Sequence, residues 1–185
     1  MNILVTGGAG FIGSNFLNYF VPKYSKINFL NLDCLTYAGN LSNVKVANKN
    51  NYEFSETNIT DKMAIHKIFH DFGPDIVVNF AAESHVDRSI KEPTQFIQTN
   101  IVGTFNLIDE FKNLWTDNYA HKRFHHISTD EVYGYLGEAG AFSENTPYDP
   151  SSPYSASKAS SDHIVRAYHR TFGVPISITN CSNWA

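Results

Sequence analysis

Tyr154 and Lys158 stand four residues apart in Tyr-Ser-Ala-Ser-Lys. On a helix that spacing is one turn, so phenol and ammonium share a face. A free tyrosine ionises near pH 10, about three units above neutrality. A neighbouring cation favours the phenolate, and a phenolate can take the proton of an alcohol while a hydride leaves. Such a hydride needs an acceptor, and a second set of residues provides for one. Gly7-Gly8-Ala9-Gly10-Phe11-Ile12-Gly13 follows a short apolar run, Asn2–Thr6, and opens a helical segment. That strand–turn–helix junction is where a dinucleotide pyrophosphate is held. Gly7 permits the tight turn, Gly10 lets backbone approach the pyrophosphate, and Gly13 lets helix and strand pack closely. The helix N-terminus contributes unpaired N–H groups. Asp33 lies twenty residues past Gly13, at the end of the second strand. A carboxylate there accepts hydrogen bonds from the adenosine ribose and repels a 2′-phosphate, so the loop and Asp33 together point to NAD rather than NADP.

A third set adds acid–base chemistry. Ser128-Thr129 ends a strand, and in open α/β sheets ligands gather at the carboxyl ends of strands. Thr129 can hydrogen-bond the hydroxyl that Tyr154 deprotonates. Asp130-Glu131 follows at once. Adjacent side chains of an extended strand point to opposite faces, so both acids can serve one substrate only if the chain turns at Asp130. A proton donor and a proton acceptor beside a hydride acceptor are more than alcohol oxidation requires.

These residues need elements to hold them, and the apolar pattern alternates strand with helix. Strands are predicted at Asn2–Thr6, 27–32, Tyr52–Glu56, 75–80, 123–128 and from 176 to 179. Helices are predicted at 14–21, stopped by Pro22, and from Asp61 to the Gly73-Pro74 stop. A long helix is predicted over 93–115, with Ile97, Ile101, Phe105, Ile108, Phe111 and Trp115 on one face, and another over 154–172 before Gly173 and Pro175. Strands alternating with helices imply an α/β fold, a Rossmann-type doubly wound parallel sheet with helices on both faces. The stretch 134–153 is rich in Gly, Pro and Ser, and a loop of that length inside a compact fold is usually functional.

Composition bounds the rest. The chain has 185 residues, 14 basic and 18 acidic, for a net charge of −4. That mild, evenly spread charge offers nucleic acid or an acidic membrane no basic partner surface. Hydrophobic residues make up 42%, enough for an ordinary core. No apolar run approaches the roughly 20 residues of a membrane span. The N-terminal segment lacks the pattern of a signal peptide, and two cysteines, Cys34 and Cys181, make no disulfide framework. A cytoplasmic location is expected. No metal site is expected: His66 and His70 are one turn apart but lack the glutamate of H-E-x-x-H. His125 and His126 alternate along a strand, so at most one faces any given site.

The segment Thr6-Gly-Gly-Ala-Gly-Phe-Ile-Gly13 resembles the signature of the extended short-chain dehydrogenase/reductase family. His125-His-Ile-Ser-Thr-Asp-Glu-Val-Tyr-Gly134, Ala81-Ala-Glu-Ser-His-Val-Asp-Arg-Ser89, Asn100-Ile-Val-Gly-Thr104, the segment 151–163, Leu35-Thr-Tyr-Ala-Gly-Asn40 and Thr179-Asn-Cys-Ser-Asn183 look like the dTDP-glucose 4,6-dehydratases within it. The resemblance covers the whole chain. It implies that Tyr154, held by Lys158, deprotonates the sugar 4-hydroxyl as C4 is oxidised, with Thr129 beside it. It implies that Glu131 removes the C5 proton and Asp130 protonates the departing 6-hydroxyl, the hydride returning to C6. It further implies substrate contacts at Ser84, Thr129 and Asn183, and cofactor contacts at Phe11, Ile12, Thr36, Asn58, Ile59, Phe80, Ala81, Ala82 and Thr99.

The chain departs from the family pattern at three places. Cys34 stands where a lysine is usual, and Asn58 where an aspartate meets the adenine amino group. Asn58 has an amide oxygen that can accept the same hydrogen bond. Trp184 and Ala185 follow Asn183 where the family has a second asparagine and then Tyr-Gly-Pro. The expectation is that residues 1–185 are an NAD-binding domain without the C-terminal substrate domain. The rival readings are another nucleotide-sugar dehydratase or 4-epimerase, acting on a UDP-sugar, and an NAD-binding module without turnover. The resemblance also implies a homodimer, paired through the helices of 93–115 and 154–172.

Overall fold

The computed structural model describes residues 1–116, 118–137 and 139–182. Six strands form one all-parallel sheet: β1 (Asn2–Thr6), β2 (Asn28–Asp33), β3 (Tyr52–Glu56), β4 (Ile76–Asn79), β5 (Arg123–Thr129) and β6 (Ile176–Cys181), in the order β3-β2-β1-β4-β5-β6. That order reverses direction between β1 and β4, which opens a crevice beyond their carboxyl ends. The expected doubly wound sheet is therefore the fold.

Strand alternation sorts the core into two layers. Ile3 and Val5 of β1 pack with Leu17 and Val21 of α1 (Phe11–Lys23) and with Phe29 and Val78. Leu4, between them, points the other way and joins Ile65 and Phe69 of α2 (Lys62–Phe72), Leu107, Ile108 and Phe111 of α5 (Thr104–Trp115), and Val165 of α6 (Pro153–Phe172). A strand buried on both faces is apolar in a run, as β1 is at Ile3, Leu4 and Val5.

Asp61, Gly73 and Gly173 bound their helices as anticipated. The Asp61 carboxylate caps α2 by accepting from Ala64 N, and Gly73 ends that helix at φ +59°. Ser152 and Ser155 form a reciprocal capping box at the start of α6, and Gly173 ends it at φ +70°. Pro22 does not stop α1, which begins at Phe11 and runs on to Lys23. In the last turn a proline forfeits one donor without a following turn to disrupt, and Tyr24 N still pairs with Phe20 O.

The 93–115 region differs most from the sequence pattern. A short helix α3 (Val86–Lys91), absent from that pattern, precedes α4 (Pro93–Phe96), and a π-helical stretch (Ile97–Gly103) joins α4 to α5. The wider turn re-phases the helix, so Phe96 and Asn100 face inward while Ile97 and Phe105 are solvent-exposed. The turn lies where Gly103 meets Ile59, whose Cδ1 would sit 2.4 Å from a Cβ at that glycine. Ile97, Ile101 and Phe105 thus do not continue the core face formed by Leu107, Ile108 and Phe111.

Candidate active site

The glycine loop is shaped by two kinds of constraint. Gly7 sits at φ +70°, and a Cβ there would lie 2.6 Å from Ala81 N at the end of β4. A Cβ at Gly13 would lie 2.3 Å from Gly7 O. Gly8, not singled out by sequence, is equally constrained, since its Cβ would meet the buried Asn31 side chain at 2.1 Å. Gly10 is different: a Cβ there would approach only Gly7 O, at 3.3 Å. Its missing side chain leaves space on the outer side of the loop, against the first turn of α1. Among the described residues no side chain caps that helix end, and its first turn carries no acid. Open N–H groups beneath a bare glycine form a cradle for an anionic pyrophosphate.

Asp33, at the end of β2, is already oriented by backbone. Its Oδ2 accepts from Ala9 N at 2.9 Å and its Oδ1 from Leu35 N at 2.9 Å. Each oxygen keeps a lone pair for a ribose hydroxyl.

A cleft of about 440 Å³ runs from this loop across the carboxyl edge of the sheet. That volume lies in the range of small-molecule and cofactor sites. The glycine loop contributes Gly7, Gly10, Phe11, Ile12 and Gly13, and the end of β2 contributes Asp33 and Thr36. Asn58 and Ile59 line the wall beyond β3, and Phe80, Ala81, Ala82 and Ser84 line the wall beyond β4. Thr99, Thr129, Glu131, Tyr154 and Lys158 complete the set drawn from the sequence. Asp130 is not on the wall, and Asn183 lies outside the described residues. Asn58 is committed locally: its Oδ1 accepts from both Thr60 N and Thr60 Oγ1, at 3.0 and 2.9 Å. The acceptor offered to adenine is thus used twice by its own turn.

The acid pair stands on a 3₁₀ turn, Asp130–Tyr133, that begins where β5 ends. The chain therefore turns at Asp130, as two acids on one side require. Thr129 caps the turn by accepting from Glu131 N at 3.3 Å, and its own hydroxyl donates to Asp130 Oδ1 at 3.4 Å. Burial, then the charge of Asp130, pushes the Glu131 carboxyl above its ordinary pKa, which makes it a better base.

Tyr154 is 8% exposed. Burial, followed by the charge of Glu131, pushes its pKa up to about 12, and only a hydrogen bond from Thr129 pulls the other way. Lys158 is 3% exposed, and its Nζ donates to Ile127 O at 2.6 Å. Burial draws its pKa down to about 8, against the charges of Asp162 and Cys181. The direction at Tyr154 is thus upward from the protein's own groups, and the positive charge of an oxidised nicotinamide is the influence that would oppose it. The lysine is tied to the β5 backbone, and the carboxylates dominate the field at the phenol.

Behind the site is a buried polar layer that sequence reasoning missed. Asp162, one turn beyond Lys158 on α6, accepts through Oδ2 from Ser128 Oγ at 2.8 Å and Tyr148 OH at 2.9 Å. Its Oδ1 lies 3.3 Å from His126 Nε2. Burial would raise the Asp162 carboxyl, but the adjacent His126 ring and the hydrogen bond from Ser128 win and hold it below its ordinary value, while Oδ1 has no hydrogen-bond partner among the described residues. Burial draws His126 down to about 4, so it is neutral. Its neighbour His125 faces the other side and bonds Ser177 Oγ at 2.6 Å. Asn100, on the π-helical stretch, clamps the β4 loop by accepting from Glu83 N and donating to Glu83 O. Glu83 itself lines the cleft, with Oε2 buried and unbonded among the described residues. The motif Ala81-Ala-Glu-Ser contains that residue, but nothing in the motif marks its carboxylate as buried.

Residues 4–185 match the family model described as GDP-mannose 4,6 dehydratase, and the chain belongs to that family. It is 53% identical, over 189 residues, to the dTDP-glucose 4,6-dehydratase of Haemophilus influenzae, covering 99% of this chain and 56% of that protein. The crystal structure of the Bacillus anthracis dTDP-glucose 4,6-dehydratase in complex with NAD superposes with a TM-score of 0.86 at 45% identity, over 99% of this chain and 55% of that one. The Streptomyces venezuelae dTDP-glucose 4,6-dehydratase, also determined with NAD bound, gives 0.89 at 42% identity, over 98% and 55%. The chain thus spans about half the length of the relatives it matches.

Proposed function

We propose that this chain is the NAD-binding part of a dTDP-glucose 4,6-dehydratase, with the sugar-gripping domain belonging to the other half of the relatives' length. One observation carries the reading. A single cleft joins the pyrophosphate cradle and Asp33 to Thr129, Glu131, Tyr154 and Lys158.

Gly7, Gly10 and Gly13 would hold the pyrophosphate and Asp33 the adenosine ribose, with Lys158 toward the other end. Bound NAD supplies a hydride acceptor for sugar C4 and returns that hydride to C6, so the net change is loss of water. With the nicotinamide's positive charge beside it favouring the phenolate, Tyr154 would take the proton of the 4-hydroxyl, and Thr129 would orient that hydroxyl. The new ketone acidifies C5–H, and Glu131, made basic by burial, removes the proton. Asp130 delivers a proton to the 6-hydroxyl as it leaves. A 4-epimerase needs Thr129, Tyr154 and Lys158 but has no use for Asp130 and Glu131. Ser84, exposed at the mouth of the cleft, and Asn183 are the proposed substrate contacts.

Among the described residues no helix is long and apolar enough to cross a membrane; a cytoplasmic location is a separate part of the proposal. A homodimer is part of the same proposal. Ile97, Phe105 and Phe172, apolar and exposed on the helices of 93–115 and α6, supply a face for a second copy. Light scattering showing only monomer would remove that part.

The test is incubation with NAD and dTDP-glucose, followed by NMR of the sugar. A 4-keto-6-deoxy product supports the reading. A C4 epimer overturns it in favour of an epimerase, preference for UDP-glucose shifts it to a UDP-sugar enzyme, and NAD binding without turnover identifies a binding module.

A further inference from the structure

We propose that His66, His70 and Glu110 form a site for a first-row divalent transition cation, zinc foremost, that braces α2 against α5. None of the three lines the cleft, so the site is separate from the dehydratase chemistry.

The sequence offers two histidines one helical turn apart on α2, the helical half of a zinc-binding pair. Folding supplies what the local sequence lacks. Glu110 comes from α5, and its carboxylate Oε2 lies 3.0 Å from His66 Nδ1. The imidazole rings of His66 and His70 are 4.4 Å apart, and one ligand atom from each of the three residues lies within 4.8 Å of the others. With zinc–nitrogen and zinc–oxygen bonds near 2.0–2.2 Å, tetrahedral ligand atoms sit about 3.3 Å apart. The His66–Glu110 pair already meets that spacing. His70 must close by about 1.5 Å at most, and its exposed side chain is free to do so by rotation.

Burial suits Glu110 to a charged partner, a place now held by the His66 ring at 3.0 Å. Glu110 is 5% exposed, and a carboxylate taken out of water is costly unless a charge or donors compensate it. The next acid on α5, Asp109, turns instead to Tyr168 OH at 2.9 Å and Lys62 at 4.0 Å. Two imidazoles and a carboxylate are a common three-ligand zinc set with the fourth position open to water. Nitrogen-rich donors favour nickel, copper and zinc over manganese, and magnesium wants oxygen. A cation held by both helices binds the folded state in preference to the unfolded chain, which keeps only the histidines close, so it raises the melting temperature.

The test uses the untagged 185-residue chain, with calorimetric titration of zinc chloride at pH 7.5 and thermal melts with and without metal. The expected result is saturable one-to-one binding, a rise in Tm, and no response to magnesium. His66→Ala, His70→Ala and Glu110→Gln should each weaken zinc binding by about tenfold or more and remove the Tm rise. Zinc binding unchanged by His66→Ala and His70→Ala overturns the site, as does the absence of saturable binding. Binding lost in both histidine variants but retained in Glu110→Gln overturns the brace between helices. Should Glu110→Gln fold poorly, His70→Ala decides, because His70 is exposed and its removal leaves the packing of α2 intact.

Discussion

Lys158 Nζ donates to the carbonyl oxygen of Ile127 at 2.6 Å, so the buried ammonium one turn from Tyr154 is fastened to the strand that carries Thr129. The contact fixes where the lysine can reach, since the flexible stem is held at its charged end. It also stores an electrostatic cost, because burial takes the ammonium out of water and draws its pKa down to about 8.

That cost has a pH signature. An unfolded lysine keeps its proton up to about pH 10.4, so between pH 8 and 10 the unfolded chain binds more protons at this residue than the folded one. Stability from Lys158 therefore rises with pH across that window, and the penalty is fully present below it. Lys158→Met should remove the rise. Urea titrations at pH 8, 9 and 10 should show a gain in the parent relative to the variant. Parallel profiles would mean that burial does not penalise the charged lysine.

Glu131→Gln keeps the shape of the 3₁₀ turn and removes the base. In the enzyme under the proposed mechanism, C4 oxidation and its reversal should survive. Exchange of the C5 hydrogen with solvent deuterium and loss of water should fall by about 10²–10⁴-fold. NMR of the recovered sugar in D₂O reads both. Normal dehydration by the variant would assign the C5 proton to another group.

The glycine loop predicts a contrast between neighbours. Gly7→Ala must place a methyl 2.6 Å from Ala81 N at φ +70°, a backbone clash that should cost about 2–4 kcal/mol. Gly10→Ala meets only Gly7 O at 3.3 Å and keeps an ordinary φ of −74°. It should melt near the parent temperature yet bind NAD at least about tenfold more weakly, because the methyl occupies the pyrophosphate's space. Equal melting temperatures for the two variants would contradict this division of labour.

The legibility of this chain follows range of interaction. The glycine loop, Asp33, the acid pair and the Tyr–Lys spacing are local patterns, and strand alternation at Ile3, Leu4 and Val5 shows directly in residue order. The π-helical stretch was not legible, because it packs at Gly103 against Ile59, forty-four positions away, a contact that residue order does not show. The buried layer of Asp162, His126, Ser128 and Tyr148 was hidden for the same reason, as each member looks polar and therefore superficial until β5 and α6 are packed together. The four-residue spacing of Tyr154 and Lys158 shows the lysine in residue order but not the carboxylates of Glu131 and Asp130, which also face the phenol. Distance along a helix gives a neighbour, but burial and two carboxylates decide the field at the phenol.

Asp33→Asn tests the choice of cofactor. Both carboxylate oxygens already accept backbone N–H bonds from Ala9 and Leu35, and an amide can replace only one of them. NAD affinity should fall by about tenfold. The discrimination against NADP should narrow, because the negative charge that repels the 2′-phosphate is gone. Fluorescence titration with both nucleotides measures the ratio. An unchanged ratio would show that Asp33 does not face the ribose.

His126 gives the acid limb of the stability profile. Burial, helped by the charge of Lys158, draws its pKa down to about 4, against the pull of Asp162, while an unfolded histidine takes up its proton near pH 6.5. Between those values the unfolded chain binds the extra proton, so stability falls as pH drops from 6.5 toward 4. Asp162 adds to the same trend from below, since its depressed carboxyl loses its hydrogen-bonded advantage only on protonation. His126→Gln removes the titration while an amide still reaches toward Asn79 and Ser161, the present partners at 3.1 and 3.3 Å. The variant should be less stable at pH 7 but should lose less between pH 6.5 and 4.5 than the parent. If both proteins lose the same amount, acid sensitivity in this range belongs to other groups, and His126 is already satisfied in either protonation state.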